Sequence, residues 1–525
     1  MKYKCMALIV VAAFSYNSLA NADFVRISAS DFVKDPVKVA ALQKAVVAMR
    51  TNDAATNTSP KYRASWQYWA NTHGYLGAGP NAAGTVANYV PQQTARFCSG
   101  NPVCTSYYQH LIDTPLPADG FTTNVWGTCQ HGNLNFLPWH RMYLHFFERV
   151  LRKQSGTADF SLPYWDYFSE RGADGQGIAL PKLVRGQSAG AAVDQFRTPG
   201  LNEHTVAIDE RTGSAAQAFK FTNFTRFSNQ LEQQPHGAMH CGTGSSCRAP
   251  DIGLVPLAGL DPVFYMHHAN IDRLWQCWLN REAHNQTIDL AWAKANLGMP
   301  DSWYQTSYKF VDENGNVVSM KIADVFTPGV IDTHYDKETN CVTSLPSPQL
   351  PAVKAIAPMK LIPMSNTKAT VLKGNAVTIP LQASSDTHPF SISPGVMGVK
   401  KGNAQLIIEN VDVQGDPEVT YNIYISSKRD PKRTVYIATL NYFGILEPTH
   451  SEHSQPNANA PGNVGTLTYD VQEELSELGL TSTADVEVRF VPSNFVTEAV
   501  KAHTTEGSVT VGKVHLIKSN DGVVK

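Results

Sequence analysis

Apolar residues recur at every third or fourth position along three stretches of the N-terminal two-thirds of the chain. Asp31 to Met49 has this spacing, with Asp35-Pro36 as cap and first-turn proline. Pro138 to Lys153 predicts a long helix with Trp139, Met142, Tyr143, Phe146, Phe147, Val150 and Leu151 on its apolar face. Pro138 is tolerated in a first turn. His268 to Glu282 predicts another, with Ile271, Leu274, Trp275, Trp278 and Leu279 in register. Gly74 to Gly127, full of Gly, Pro, Asn and Thr, predicts loop.

The pattern changes after Ser344-Leu-Pro-Ser-Pro-Gln-Leu-Pro351, which reads as a linker. Short alternating runs follow at Ala376–Pro380, Ala404–Glu409, Tyr421–Ile425, Thr434–Leu440 and Asp485–Phe490, with a polar loop at Gln455–Gly465. Such runs predict an antiparallel β domain, a sandwich or barrel. The expected organisation is a signal peptide at 1–22, a mainly helical domain at 23–343, a linker at 344–365 and an all-β domain at 366–525.

Lys2 and Lys4, an apolar run from Ala7 to Phe14 and the small-residue site Ala20-Asn-Ala22 predict export to a periplasmic or extracellular space. The apolar run is too short to span a membrane, and a twin-arginine pair is absent. The 43 basic and 45 acidic residues are balanced without a basic run, which argues against nucleic acid or an anionic membrane as partner. Cys5 leaves with the signal. Of the seven remaining cysteines, Cys98/Cys104 and Cys241/Cys247 are spaced for loop-closing disulfides. The odd total leaves one over, and Cys129 is the candidate.

Six histidines in two clusters carry the chemistry. His131 and His140 stand nine apart, with a third partner at His73 or, nearer in sequence, His110. His236 and His240 stand four apart, so a helix would present both imidazoles on one face. His267-His268 follow, and only one of an adjacent pair should reach the same ion. Gly237 occupies the position where a zinc protease needs glutamate, which excludes that chemistry. Imidazole suits copper, zinc, iron and nickel alike, so ligand type alone does not choose the metal. Asn270 and Asp272 would either orient neighbouring imidazoles or cap the helix, with Arg273 as an alternative partner for Asp272.

Two longer segments decide the metal. His131-Gly-Asn-Leu-Asn-Phe-Leu-Pro-Trp-His-Arg-Met-Tyr-Leu-His-Phe-Phe-Glu148 and Asp261-Pro-Val-Phe-Tyr-Met-His-His-Ala-Asn-Ile-Asp-Arg-Leu-Trp275 closely resemble the two copper signatures of the tyrosinase and polyphenol oxidase family, shared by molluscan haemocyanins. Leu162-Pro-Tyr-Trp-Asp166 resembles the family's joining segment, and the resemblance covers roughly residues 35 to 340. It implies a four-helix-bundle core and two copper ions, one on His73, His131 and His140, the other on His236, His240 and His268. His145 lies off the motif, with packing as its default role. Phe264 matches the aromatic residue that packs over the site. The Cys129-Gln-His131 spacing resembles members in which the cysteine sulfur is joined to the imidazole, against a disulfide or free thiol.

The same resemblance suggests further roles. Glu232 matches a glutamate that positions a water and receives a phenolic proton, with an exposed helix-end charge as the alternative. Gly237 stands where asparagine accompanies monophenol hydroxylation, so diphenol oxidation is the firmer expectation and hydroxylation stays open. Val255 replaces a bulky overhanging phenylalanine. Cys241 aligns with a variable entrance position. The β domain resembles a C-terminal shielding domain; Tyr442-Phe443-Gly is its candidate plug, against an ordinary core turn. The expected reaction is O2-dependent oxidation of small o-diphenols to o-quinones. A dioxygen carrier and an o-aminophenol oxidase are the alternatives, and a copper-delivery partner and the oligomeric state are left open.

Overall fold

The computed structural model describes residues 24–77, 98, 102–244, 246–247, 249–345, 360–384, 403–414, 417, 419–444, 463–480, 482–496 and 507–518. The signal peptide and most of the linker and of the Gln455–Gly465 loop lie outside them.

Seven helices frame the N-terminal part: α1 (Pro36–Asn52), α2 (Trp66–His73), α3 (Pro102–Asp113), α4 (Phe136–Ser155), α5 (Phe224–Leu231), α6 (Ala238–Thr243) and α7 (Val263–Ala283). Asp35 caps α1 as its spacing predicts, accepting from the Val37 and Lys38 amides. Ser65 does the same for α2 through Tyr68 N–H. α4 covers the expected Pro138–Lys153 helix, one turn longer in total, and ends at Gly156 in the left-handed conformation.

Two expectations need correction. The Gly74–Gly127 stretch is not all loop, since α3 lies within it and buries Cys104, Tyr108 and Leu111. α7 begins at Val263, five residues earlier than His268, because the Asp261 carboxylate accepts the Val263 amide and so starts the helix after Pro262. Asn270 and Asp272 therefore sit inside a helix and cap nothing. Asp272 accepts from Arg141 on α4 (2.5 Å) and from Tyr335 (2.6 Å), and does not pair with Arg273, whose Nε donates to Asn270.

Buried charge pins this bundle. Arg26 on the first described strand, Phe24–Arg26, donates to Glu148 of α4 (2.7 Å), and that strand pairs in parallel with Thr333–Tyr335. Arg197 and Asp261, both side chains fully buried, form a bidentate pair at 2.6 and 2.8 Å. Two parallel charge-assisted bonds fix orientation as well as distance. They hold the residue that starts α7, and α7 carries the site.

The C-terminal part is two antiparallel sheets. Its longer strands are β1 (Val377–Pro380), β2 (Ala404–Gln414), β3 (Thr420–Ser427), β4 (Thr434–Leu440), β5 (Asn463–Asp470), β6 (Val486–Ser493), β7 (Ser508–Val511) and β8 (Lys513–Lys518). One sheet runs β4-β3-β6-β1, with Ile423 opposite Phe490. The other has seven strands built around β2, which pairs with β5, β7 and β8. Pairing begins at Met364–Ser365, inside the stretch assigned to the linker, and a short helix, Gln472–Glu477, interrupts the strands. The fold is thus a helical bundle followed by a β sandwich. No helix among the described residues is long and apolar enough to cross a membrane.

The two parts share a core. Ala238, Cys241, Cys247 and Val255 of the helical part are buried in one apolar cluster with Tyr442, Phe443, Phe495 and the inward residues of the strands. β4 is an edge strand, and the segment between α5 and α6 covers its end: Thr439 N–H donates to Gln234 Oε1 (2.9 Å) and Asn441 Nδ2 to the Gln233 carbonyl (2.7 Å). Sheet edges left open invite other chains; here the helical part occupies one.

Candidate metal centre

α2 ends on His73, α4 places His140 in its second turn, and the loop before α4 brings in His131. With Cys129 their ligand atoms lie within 4.8 Å of one another, all buried. His236, His240, His267 and His268 form a second such group. The two face each other: the His140 and His268 rings stack with centroids 4.3 Å apart, and His131 and His236 with centroids 5.5 Å apart. His110 is exposed on α3 and joins neither group. His145 is buried on α4 with Nδ1 3.5 Å from Asp332, away from both.

The donor chemistry fits a pair of cations. His140 Nδ1 faces the Phe136 carbonyl (2.8 Å), His236 Nδ1 that of Glu232 (3.0 Å) and His240 Nδ1 that of Ile252 (2.7 Å). A carbonyl only accepts, so these contacts assign the proton to Nδ1 and leave the Nε2 lone pairs aimed inward. His236 Nε2 is buried with no hydrogen-bond partner, and the Nε2 atoms of His240 and His268 stand 3.3 Å apart. Burial lowers His140 to about 3 and drives His236, His240, His267 and His268 well below the ordinary histidine range. Neutral imidazoles with converging lone pairs are what a metal ion requires.

His267 is held differently. Its Nδ1 is 2.7 Å from the Tyr167 hydroxyl, so the residue beside His268 is tied to the residue that follows the joining segment. Phe264 packs edge-on to His73 (centroids 4.7 Å) and tilted on His268 (4.3 Å), between the two groups. Cys129 lies outside the disulfides formed among the described residues. It is buried with Sγ 3.5 Å from His131 Nδ1 and 3.3 Å from His140 Nε2. The other six form Cys98–Cys104, Cys241–Cys247 and Cys277–Cys341.

Glu232 is not a free helix-end charge. Its Oε1 accepts the Gly132 amide at 2.6 Å, joining the α5–α6 segment to the His131 loop. Burial raises its carboxyl to about 8, against that hydrogen bond. Gly237 lies under Asn441 and Phe443, and Val255 under Gly444, so both mouth positions face the β sandwich.

The candidate plug turn brings one more residue to the site. The Phe443 ring stacks on His240 at 4.0 Å between centroids, nearly parallel, and stands edge-on to His236 (5.5 Å) and His131 (6.1 Å). The Tyr442-Phe443-Gly turn is buried in the core shared by the two parts and also sets the Phe443 ring against the imidazole cluster. The aromatic pair beside glycine was the available signal, and an ordinary turn carries the same one.

Buried imidazoles in two facing groups on a helical bundle define a dinuclear metal protein. Comparison with known proteins names the class. The common central domain of tyrosinase matches residues 63–199 and 185–281. A tyrosinase of Hahella sp. (strain CCB-MM4) is 24% identical over 90% of this chain and 95% of its own length. The latent form of the chloroplastic polyphenol oxidase of Prunus armeniaca is 29% identical, over 40% of this chain and 38% of that protein. Among solved structures, latent aurone synthase, a polyphenol oxidase, shares the fold with TM-score 0.54 at 17% identity, covering 94% of this chain and 89% of that one. Latent apple tyrosinase gives 0.53 at 19%, covering 95% and 97%. The tyrosinase central domain over residues 63–281, these relatives and the two histidine groups support a copper-dependent oxidoreductase of the tyrosinase and polyphenol oxidase type, with two copper ions as cofactor.

Proposed function

We propose that the protein is an exported, latent diphenol oxidase that converts small o-diphenols to o-quinones with O2. His73, His131 and His140 would hold one copper, and His236, His240 and His268 the other. The observation that carries the reading is the aromatic ring of Phe443 seated on His240 at the mouth of two facing imidazole groups. Bound copper supplies the redox chemistry: each diphenol yields two electrons and two protons, and two diphenols reduce one O2 to water. The chain supplies the rest. Nδ1 contacts to backbone carbonyls fix the ring orientations. Glu232, anchored on Gly132, is the carboxyl placed to take a phenolic proton. Phe264 keeps the space between the two groups apolar.

Two structures of latent forms support latency, since each covers 94–95% of this chain, the β domain included. The test is oxygen uptake with 4-methylcatechol and then p-cresol, on copper-loaded protein before and after limited protease. Uptake with the catechol that rises on trimming is expected. Uptake with neither, in copper-replete trimmed protein, overturns the oxidase reading in favour of a dioxygen carrier.

Cys129 is assigned a thioether to the His131 ring. Its sulfur is buried beside both imidazoles and outside any disulfide. Such a bond would lock the ring and lower its freedom. The peptide carrying 129–131 should run two hydrogens lighter than its sequence mass after copper loading in air; an alkylatable thiol there in active protein contradicts the assignment.

A further inference from the structure

The three positions that the family resemblance marks as tuning substrate at the mouth, Gly237, Cys241 and Val255, all meet the β sandwich. Cys241 is bonded to Cys247, whose Sγ accepts the Tyr442 amide at 3.3 Å. Val255 has Gly444 above it, close enough that a Cβ on that glycine would stand 3.6 Å from Val255 Cγ2. Gly237 is the tightest. Its backbone is ordinary right-handed helix, so conformational freedom is not why glycine stands there. Space is: a Cβ at 237 would lie 2.7 Å from Asn441 Oδ1 and 3.3 Å from Phe443 Cβ.

Asn441 cannot simply turn aside. Its Nδ2 donates to the Gln233 carbonyl (2.7 Å), its Oδ1 accepts the Phe443 amide (3.2 Å), and the residue is 1% exposed. Rotating the amide breaks both bonds and strands buried polar groups. The amide bridges the segment that carries Glu232 and His236 to the residue that covers them. We propose that Gly237 is a docking position: its missing side chain admits the Asn441 amide, and that fit seats Phe443 over the imidazoles. The inference rests on the shielding reading above. It assigns residue 237 to the seal in the full chain, ahead of any role in choosing between monophenols and diphenols. Gly237→Asn would therefore first undock the sandwich, so its effect on substrate choice is readable only in trimmed protein.

The test compares each full-length variant with its own trimmed form, using the ratio of 4-methylcatechol uptake before trimming to uptake after. Gly237→Ala should raise this ratio roughly tenfold, the size expected when one methyl group overpacks a filled contact. Hydrogen exchange at Thr439 N–H, which Gln234 accepts, should quicken with it, giving a reading independent of copper. Asn441→Gly alone removes the amide that bridges to Gln233 and Phe443, so it should raise the ratio and quicken the exchange as well. If wild type is latent and Gly237→Ala is equally latent with unchanged exchange, this inference fails and the shielding reading stands. If Asn441→Gly leaves both the ratio and the exchange at wild-type values, the amide does not seat Phe443 and the assignment fails. If untrimmed wild type is already fully active, the shielding reading falls and takes this one with it.

Discussion

Replacing His240 with alanine is expected to leave one copper per chain in place of two and to cut quinone formation in trimmed protein by more than about a hundredfold. The estimate is a floor, since losing an outer partner of a metal ligand alone costs about 10–100-fold. His240 is singled out because its geometry allows one role. Its Nδ1 faces the Ile252 carbonyl at 2.7 Å, and its Nε2 points at His268 Nε2, 3.3 Å away. With both Nε2 atoms deprotonated, lone pairs at that distance would repel unless a cation lay with them. His240→Gln keeps most of the side-chain volume and should lose copper as well, which separates metal loss from collapse of the cavity. His73→Ala should also drop the count by one. His110→Ala should retain both ions, because the imidazole is exposed on α3. A full copper complement in folded His240→Gln would remove the residue from the proposed ligand set.

The helices were legible because their burial is one-sided or nearly complete, and both cases leave a period in the sequence. α1 also carries its own start signal in Asp35-Pro36. α7 starts five residues before its apolar period shows, because its start is made by Asp261, a buried carboxylate paired with Arg197 from 64 residues away, and local pattern holds no trace of such a partner. Asp272 failed for the same reason: Arg141 and Tyr335 reach it from distant parts of the chain. α3 was hidden among turn-forming residues, since only a few of its side chains are buried. The imidazole groups are legible through spacing and resemblance, whereas the closing turn is legible only as one of two readings. Phe443 and Asn441 sit in the β domain, some two hundred residues from His236 and His240, and nothing local to Asn441-Tyr-Phe-Gly444 distinguishes a covering turn from a core turn. The sequence therefore offers the turn as a candidate plug without separating it from a core turn.

Phe443→Ala carries the second large effect, and it separates covering from docking. The ring contributes stacking on His240 and edge contacts to His236 and His131. Docking is held by other atoms: Thr439 N–H to Gln234, Asn441 Nδ2 to the Gln233 carbonyl and Tyr442 N–H to Cys247 Sγ all survive loss of the ring. Further contacts lie well away from it, including Asp209 N–H to the Phe495 carbonyl (2.7 Å) and Lys220 to Glu474 (2.6 Å). The full-length variant should therefore stay docked, with wild-type exchange at Thr439 N–H, and still oxidise 4-methylcatechol without trimming, at a rate within a few-fold of the trimmed form. Removing an apolar ring from the mouth opens room for a small ring there, as cavities left by large-to-small changes admit small apolar ligands. A bulky diphenol should still be refused until the sandwich is cut away, so the preference for 4-methylcatechol over a bulky catechol should fall on trimming. If Phe443→Ala stays as latent as wild type while trimming activates both, some other group closes the mouth and the ring only packs against it. If both catechols enter the untrimmed variant equally, the ring was holding the domain down, and covering and docking are one function.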